Sequence, residues 1–134
     1  MFNYSFFNLN LLALLLAWVT HILLGLIWFS SPLFGNDWSK LTGQKLKPAV
    51  AWIIPGLFGH LLMVIILAIL INLTQSSGAM VGLKISLLCW LGFIVPMEIG
   101  ELLWEKIPLK LFLLRTGNQL VGMLAVGLIL GWWR

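Results

Sequence analysis

Three of the four acidic residues of this chain lie together in the stretch PMEIGELLWEK, residues 96–106. Glu98, Glu101 and Glu105 are spaced at i, i+3 and i+7, which places them on one face of a helix. Carboxylates can transfer protons, bind metal ions or pair with basic side chains. Because the stretch closes an apolar run that begins near Met80, these carboxylates need partners from elsewhere in the chain.

The composition indicates the environment of these carboxylates. The 134 residues are 61% hydrophobic and 9% charged, with a mean hydropathy of +1.06, whereas soluble domains carry about 25% charged residues. Apolar runs of about 20 residues match the hydrocarbon thickness of a bilayer, and they show no period-two alternation typical of membrane strands. The sequence therefore predicts an all-α integral membrane protein with a lipid bilayer around it.

Several other classes of protein are excluded. The net charge of +4 could suggest nucleic acid, but the lysines lie at the ends of apolar runs, where membrane topology accounts for them; we expect no nucleic-acid partner. No basic residue precedes Lys40, so the first apolar run lacks the basic region of a cleavable signal peptide. The single cysteine, Cys89, excludes an intrachain disulfide.

Four transmembrane helices are predicted, and they form one bundle and one domain over residues 1–134. The spans cover about residues 9–29, 49–73, 80–103 and 111–133. A polar connection joins the first two spans at residues 30–48. Short turns join the others at TQSSG, residues 74–78, and at WEKIPLK, residues 104–110, where Pro108 breaks the helix.

The basic residues orient this bundle. Six of them lie in or beside the first and third connections, whereas Lys84 and Arg134 alone fall on the opposite side. By the positive-inside rule both connections are cytoplasmic, and the N-terminus and the C-terminus face outside. The six are Lys40, Lys45, Lys47, Lys106, Lys110 and Arg115.

The first connection has two interpretations. Phe34, Trp38 and Leu41 recur at i, i+4 and i+7, which favours a short helix lying in the cytoplasmic interface. The alternative is an irregular loop whose aromatic side chains enter the headgroup region.

A short motif recurs at the ends of spans one and three. Each end has a tryptophan, three further residues and then Pro-Leu: Trp28 to Leu33 and Trp104 to Leu109. The two spans cross the membrane in the same direction, so duplication of a helical hairpin would give parallel repeats. The bundle could therefore consist of two weakly repeated hairpins, or the match could reflect tryptophans that are common at membrane boundaries.

The polar side chains of the four spans fall in the cytoplasmic half or near the midplane. At 1.5 Å per residue, the carboxylates lie about 3 to 8 Å from the end of span three, and the histidines about 12 to 16 Å deep. A charge facing lipid at depth costs at least about 2.5 kcal/mol, so these groups should face the bundle interior. They are His21, His60, Glu98, Glu101, Arg115, Asn118 and Gln119.

Arg115 is the basic residue placed to neutralise a carboxylate within the bundle. We expect it to pair with Glu101, with Glu98 directed towards His60 or His21. Pro96 and Pro55 interrupt backbone hydrogen bonding in the same zone and should kink spans three and two. A freed carbonyl at this depth needs protein or water, so the sequence predicts a polar vestibule open to the cytoplasm.

Each of these features has a second interpretation. The carboxylates and Arg115 could be a structural ion pair that holds span three against span four. The histidines could be interior residues that hydrogen-bond neighbouring backbone groups, instead of a proton relay. His21, His60 and Glu98 have the chemistry of zinc ligands, but no spacing motif supports a metal site; we expect neither metal nor cofactor. Gly127 and Gly131 form a GxxxG pair that allows close packing within one chain or between chains.

The segment LIWFSSPLFGNDW resembles the signature of the membrane family catalogued as domain of unknown function 1761. The family pattern is Trp, an aromatic residue, Ser and Pro, then Phe-Gly and a second Trp. The third-span segment CWLGF and the fourth-span segment LKLFLLRTGNQL are also similar to the family. Where the family often has Tyr, this chain has Phe29, so any role of that hydroxyl is absent here. The matching signature positions are Trp28, Phe29, Ser31, Pro32, Phe34, Gly35 and Trp38, followed by Trp90, Gly92 and Phe93 in the third span.

The resemblance implies a bacterial or archaeal multi-pass protein of the inner membrane with four helices, and it implies no activity. The polar residues favour a small transporter or channel, working as a homo-oligomer because four helices rarely enclose a pathway. An accessory or assembly subunit of a larger membrane complex is the first alternative, based on the small size, the GxxxG pair and the amphipathic first connection. A membrane enzyme acting on a lipid-like substrate is the second, although no nucleophile motif supports it and no catalytic residue is identified.

Overall fold

The structure, a computed structural model, describes residues 8–47 and 50–133. The positions outside it include residues 48 and 49, where the sequence analysis ends the first connection and begins the second span, and Arg134, which it uses for orientation.

The described residues are almost entirely helical. Four helical segments are long and apolar enough to cross a membrane, which confirms the predicted all-α membrane architecture. The third of them combines two α-helices and the π-helical turn between them. The elements are α1 (Leu11–Trp28), α2 (Gly35–Thr42), α3 (Val50–Leu73), α4 (Ala79–Cys89), the π turn (Trp90–Ile94), α5 (Val95–Trp104) and α6 (Leu109–Trp132).

Local sequence explains several helix ends. Asn10 precedes α1, and its side chain accepts hydrogen bonds from the backbone N–H groups of Leu12 and Ala13. The helix α2 ends at Gly43, whose φ of 70° suits glycine. Pro108, with an extended backbone, precedes α6 and has no N–H that would need a helical partner. The helical interpretation of the first connection is therefore confirmed over residues 35–42.

The closest approach in the bundle is between α4 and α6. A methyl group on Gly82 would overlap the carbonyl of Gly127, and the Gly78 N–H donates a 2.9 Å hydrogen bond to the carbonyl of Gly131. Ser86 continues the same stripe of small residues on α4, at four-residue intervals. The GxxxG pair of α6 thus packs within the chain, against small residues that the sequence analysis did not identify as its partner.

The apolar core joins α1, α3 and α6 in the same part of the molecule. Ala17, Val64 and Val126 have no exposed surface, and Leu67 and Ile71 have almost none. These residues and the α4–α6 contact define the closed half, which comprises residues 11–20, 62–73, 79–89 and 121–132. Tight side-chain packing fills this half, so it can hold the four spans together.

The remainder of the bundle is the polar half, and its packing is looser. The first turns of α3 leave Trp52, Ile54 and Phe58 between 67% and 73% exposed. Most side chains of α5 are exposed or half-buried as well. The polar-half portions of α3 and α5 are therefore less tightly packed than the closed half, and the polar residues of the spans lie in this part of the bundle.

Candidate functional site

The π turn determines where the carboxylates of α5 point. Pro96 has no N–H to donate and its ring crowds the carbonyl four residues earlier. The chain responds with a wider turn, in which the Val95 N–H donates to the carbonyl of Trp90, five residues back. The predicted kink at Pro96 therefore takes the form of a π turn, a feature frequent at functional sites. Glu98 lies in the first turn of α5 that follows.

Arg115 on α6 faces both carboxylates. Its Nη1 donates a hydrogen bond to Glu101 Oε2. The same nitrogen lies 3.7 Å from Glu98 Oε2, which is within ion-pair range but too far for a hydrogen bond. The pairing of Arg115 with Glu101 is thus present, and two carboxylates share one guanidinium.

Glu98 differs from Glu101 in its partners. Its Oε2 is buried, and Glu98 accepts no hydrogen bond from any described residue. The Glu98 side chain is 19% exposed, against 40% for that of Glu101. A half-satisfied carboxylate inside an apolar segment costs stability, so Glu98 is the member of the cluster that a purely structural role explains least.

Glu105 lies apart from this cluster. It follows the last residue of α5 and is exposed at the end of the span. The stripe of three carboxylates predicted from the sequence therefore divides into two that contact Arg115 and one at the surface.

The two histidines form a separate pair. The rings of His21 on α1 and His60 on α3 lie with their centroids 4.6 Å apart, tilted by 44°. Among the described residues neither ring lies within 4.0 Å of a carboxylate oxygen, so the expected contact of Glu98 with His60 or His21 is wrong. Arg115 attracts Glu98 from α6 instead. The histidines lie deeper, at the boundary with the closed half.

His21 is almost completely buried, and both of its ring nitrogens lack hydrogen bonds. The alternative in which it bonds a neighbouring backbone group is therefore wrong. Gly122 on α6 faces the ring, and a methyl group there would come within 2.8 Å of His21 Nε2. The histidine occupies space that only glycine leaves open.

Asn118 and Gln119 lie one turn beyond Arg115 on α6, both half-buried. Neither forms a hydrogen bond within the described part of the chain. With Glu98 and the histidines, they leave several hydrogen-bonding groups unpaired in the polar half. Such groups inside a membrane protein mark contact with water or a ligand.

Two tryptophans connect the spans through hydrogen bonds that sequence reasoning missed. Trp18 Nε1 donates to the carbonyl of Leu57 on α3 at 3.1 Å, and Trp90 Nε1 donates to the carbonyl of Thr116 on α6 at 2.9 Å. The Thr116 hydroxyl bonds back to Phe112 and is buried. Buried tryptophans need an acceptor, but the sequence alone does not say which carbonyl supplies it.

The signature segment folds into a compact turn between α1 and α2. The rings of Trp28 and Phe34 lie 4.7 Å apart, and those of Phe29 and Trp38 lie 5.9 Å apart. A methyl group on Gly35 would overlap the Phe29 carbonyl, which explains the glycine. Pro32 lies in the turn itself. The aromatic side chains thus pack against one another.

This turn also reaches the carboxylate site. A methyl group on Gly117 would come within 3.2 Å of the Trp28 ring, so α6 lies against that ring two residues from Arg115. The corresponding tryptophan of the suggested repeat, Trp104, is 87% exposed and has no such packing. The two motif ends therefore differ in their surroundings.

An apolar groove opens beside this site, between α3 and the third span. Its volume is about 520 Å³, and Met123 of α6 forms its base. We call it the lateral groove; sequence reasoning missed it, because it depends on how far apart two apolar helices lie. Its lining residues are Gly59, Leu62, Met63, Ile66, Leu67, Leu70, Cys89, Phe93, Ile94 and Met123.

No group of three or more metal-ligating side chains lies together in the described residues. The chemistry of the site rests on Glu98, Glu101 and Arg115, with unpaired histidine and amide groups nearby.

Comparison with known proteins identifies the family of the chain. The model of a family described as "Protein of unknown function (DUF1761)" matches residues 12–131, which is nearly the whole chain. No curated protein and no solved structure matches it. The match bears out the resemblance found in the sequence.

Proposed function

The chain belongs to the DUF1761 family, whose description names no activity, and from the site we propose that it is a small membrane transporter working as a homo-oligomer. Glu98 is the residue that binds the cargo or a proton. The observation that most supports this proposal is a contrast between the two halves. The closed half is tightly packed, whereas the more loosely packed polar half contains a carboxylate without a hydrogen-bond partner.

The cost of Glu98 supports this proposal. A carboxylate within a span is unfavourable unless it is well paired, and Glu98 has only a 3.7 Å ion-pair contact with Arg115, whose Nη1 donates a hydrogen bond to Glu101. A structural ion pair would need only one carboxylate. Residues kept at a cost to the fold are typical of functional sites.

The other residues then have distinct roles. The Arg115–Glu101 pair holds α5 against α6 and fixes the position of Glu98. Glu98 binds and releases the transported proton, and the charged groups that face it are Glu101 on its own helix and Arg115 on α6. Asn118 and Gln119 offer hydrogen bonds along α6, and His60 lies deeper on the way to the closed half.

The basic residues support a cytoplasmic orientation for the polar half. Lys40, Lys45 and Lys47 follow α1 at the end of the bundle where Lys106 and Lys110 also lie. By the positive-inside rule, this end faces the cytoplasm, both termini face outside, and the protein resides in the inner membrane. The site would then be open to the cytoplasm and closed to the outside.

The accessory-subunit alternative loses one of its three supports and keeps the small size and the amphipathic first connection. The GxxxG pair that could have bound a partner packs against Gly78, Gly82 and Ser86 of the same chain. The lipid-like substrate of the enzyme alternative gains support from the lateral groove, although the sequence contains no nucleophile motif and the one thiol in the lining, Cys89, has no hydrogen-bonded base among the described residues. Transport therefore remains the proposal with the strongest support.

The test is proton flux into liposomes that contain a trapped pH-sensitive dye. The wild-type chain should dissipate an imposed pH gradient faster than empty liposomes do. Glu98→Gln should lose most of this flux, whereas Glu105→Gln, the same change at the exposed end of α5, should retain it. Equal flux in Glu98→Gln and wild type, or no flux in the wild type, would overturn the proposal.

A further inference from the structure

We infer that the cargo of this site is a cationic amphiphile, with an ammonium head that binds beside Glu98 and an apolar chain that lies in the lateral groove. The inference deepens the proposed transport function and rests on it. It assigns a ligand class, and it assigns the groove as the route by which the ligand enters from the bilayer.

The groove has the size and lining of a site for an apolar chain. Its volume of about 520 Å³ lies within the range of about 300–1,000 Å³ typical of small-molecule sites. All of its lining residues are apolar or sulfur-containing, and Phe93, on the π turn, is 71% exposed. A polar solute would find no hydrogen-bonding side chain there.

Helical register joins the groove to the polar site. Ile94 lines the groove, and Glu98 lies four residues later on the third span; Met123 lines it, and Gln119 lies four residues earlier on α6. Residues four apart lie on the same helix face, about one turn of 5.4 Å along the axis. Glu98 and Gln119 do not line the groove themselves, but they lie one turn beyond its lining on the same helix faces.

On α3 the same continuity holds. Met63 lines the groove, and His60 lies one turn nearer the polar half. A ligand placed along this line would have its apolar chain beside Met63 and Phe93 and its head one turn away. An amphiphile needs apolar contacts for its chain and polar contacts for its head, and this line of residues offers both.

Charge selects the head group. Two carboxylates face one guanidinium, so the cluster has one negative charge in excess when both are ionised. Glu98 accepts no hydrogen bond from a described residue. An ammonium group would supply the missing charge and the missing contact, whereas a phosphate or sulfate would be repelled.

The experiment uses the full-length chain in phosphatidylcholine nanodiscs. The probe is dodecylammonium, a protonated primary amine with three N–H donors, carrying a diazirine in its chain; dodecanol and dodecyl sulfate with the same diazirine are the matched probes. After photolysis, mass spectrometry identifies the labelled residues. The ammonium probe should label the groove at Phe93, Ile94 or Met123, and the other two probes should label it about tenfold less at equal concentration.

Two substitutions in the protein test separately the contact with the ligand's ammonium head and the contact with its apolar chain. Glu98→Gln removes the charge and should weaken ammonium labelling about tenfold. Gly59→Phe places a ring in the groove from a position where an added Cβ meets nothing within 4 Å, and should abolish labelling. Gly25→Phe is the matched control on α1, also facing open space, and should label as the wild type does.

Thermal unfolding in detergent checks that each variant is folded. Leu62→Trp, at a groove residue that is 51% exposed, is the second groove-filling variant if Gly59→Phe is unstable. Equal labelling by all three probes, unaffected by Glu98→Gln, would mean that the groove holds any lipid chain and would overturn the inference. Ammonium labelling that depends on Glu98 but survives both groove-filling variants would overturn it as well, because the chain would not lie in the groove.

The outcome is distinguishable from that of the flux test. If the groove is labelled with the expected head-group preference but no proton flux is measured, the ligand class is supported and the transport function is overturned. If proton flux depends on Glu98 but the groove is not preferentially labelled, the transport function is supported and the inferred ligand class is overturned.

Discussion

In the closed half, α4 and α6 approach until a methyl group on Gly82 would overlap a backbone carbonyl, whereas in the polar half the first turns of α3 are largely exposed. The closed half contains the fully buried apolar residues, and the polar half contains the buried unpaired polar atoms except Ser86 Oγ, which lies in the α4–α6 contact. The comparison shows that the packing that holds the four helices together and the ionisable groups of the proposed site lie at different ends of the bundle. Changes in the two halves should therefore have different consequences.

The largest effect is expected from Gly82→Ala in the closed half. The added methyl group meets a backbone carbonyl that cannot rotate away, so α4 and α6 must separate and lose packing along the whole glycine stripe. We expect a loss of about 3 kcal/mol or more in the free energy of unfolding, seen as a lower thermal midpoint in mild detergent.

The matched control is Gly25→Ala on α1, where the methyl group meets nothing within 4 Å. Its thermal midpoint should equal that of the wild type or rise slightly, because alanine favours a helix over glycine by about 1 kcal/mol. Equal midpoints for the two variants would show that the glycine contact does not hold the bundle together, and the comparison of the halves would fail.

An intermediate effect is expected within the polar half, from Glu101→Gln compared with Glu98→Gln. Glu101 accepts the hydrogen bond of Arg115, so its neutralisation should cost about 1 kcal/mol, a value reduced by the partial exposure of the pair. Glu98→Gln removes the excess charge and should leave the thermal midpoint unchanged or raise it. A larger loss for Glu98→Gln would identify Glu98 as a structural residue and weaken the proposed site.

The smallest effect is expected at the end of the polar half, where Lys110 Nζ lies 3.4 Å from Asp37 Oδ2. Both side chains are substantially exposed, at 59% and 40%, and exposed ion pairs contribute about 0–1 kcal/mol. Asp37→Asn should therefore shift the thermal midpoint by less than Glu101→Gln does. A shift as large as that of Glu101→Gln would mean that α2 helps to hold the polar half, and would narrow the difference between the halves.

The sequence predicts the four spans and the Arg115–Glu101 pair for the same physical reason. Bilayer thickness determines how long an apolar helix must be, and the cost of an unpaired charge leaves Arg115 few partners. Both arguments depend on composition and spacing alone. They need no knowledge of how the helices are arranged around each other.

The sequence does not predict features that depend on distances between helices. The partner of Gly127 and Gly131 lies partly in the turn before α4, where Gly78 is naturally interpreted as a turn residue. The direction of Glu98 depends on whether Pro96 causes a kink or a wider turn. The lateral groove arises from the separation of α3 and the third span, and apolar side chains facing a groove look the same in sequence as those facing lipid.

The π turn has a consequence for how the third span tolerates changes in length. It accommodates one residue more than a regular helix would use over the same rise. Deleting one residue between 90 and 94 would remove this extra residue and leave the helix after it facing nearly the same way, so Glu98 and Glu101 would still face Arg115. Deleting Met97, where the helix is regular, would instead rotate everything after it by about 100° and turn both carboxylates away from Arg115. The third span should therefore tolerate the loss of a residue within the π turn better than the loss of one after it.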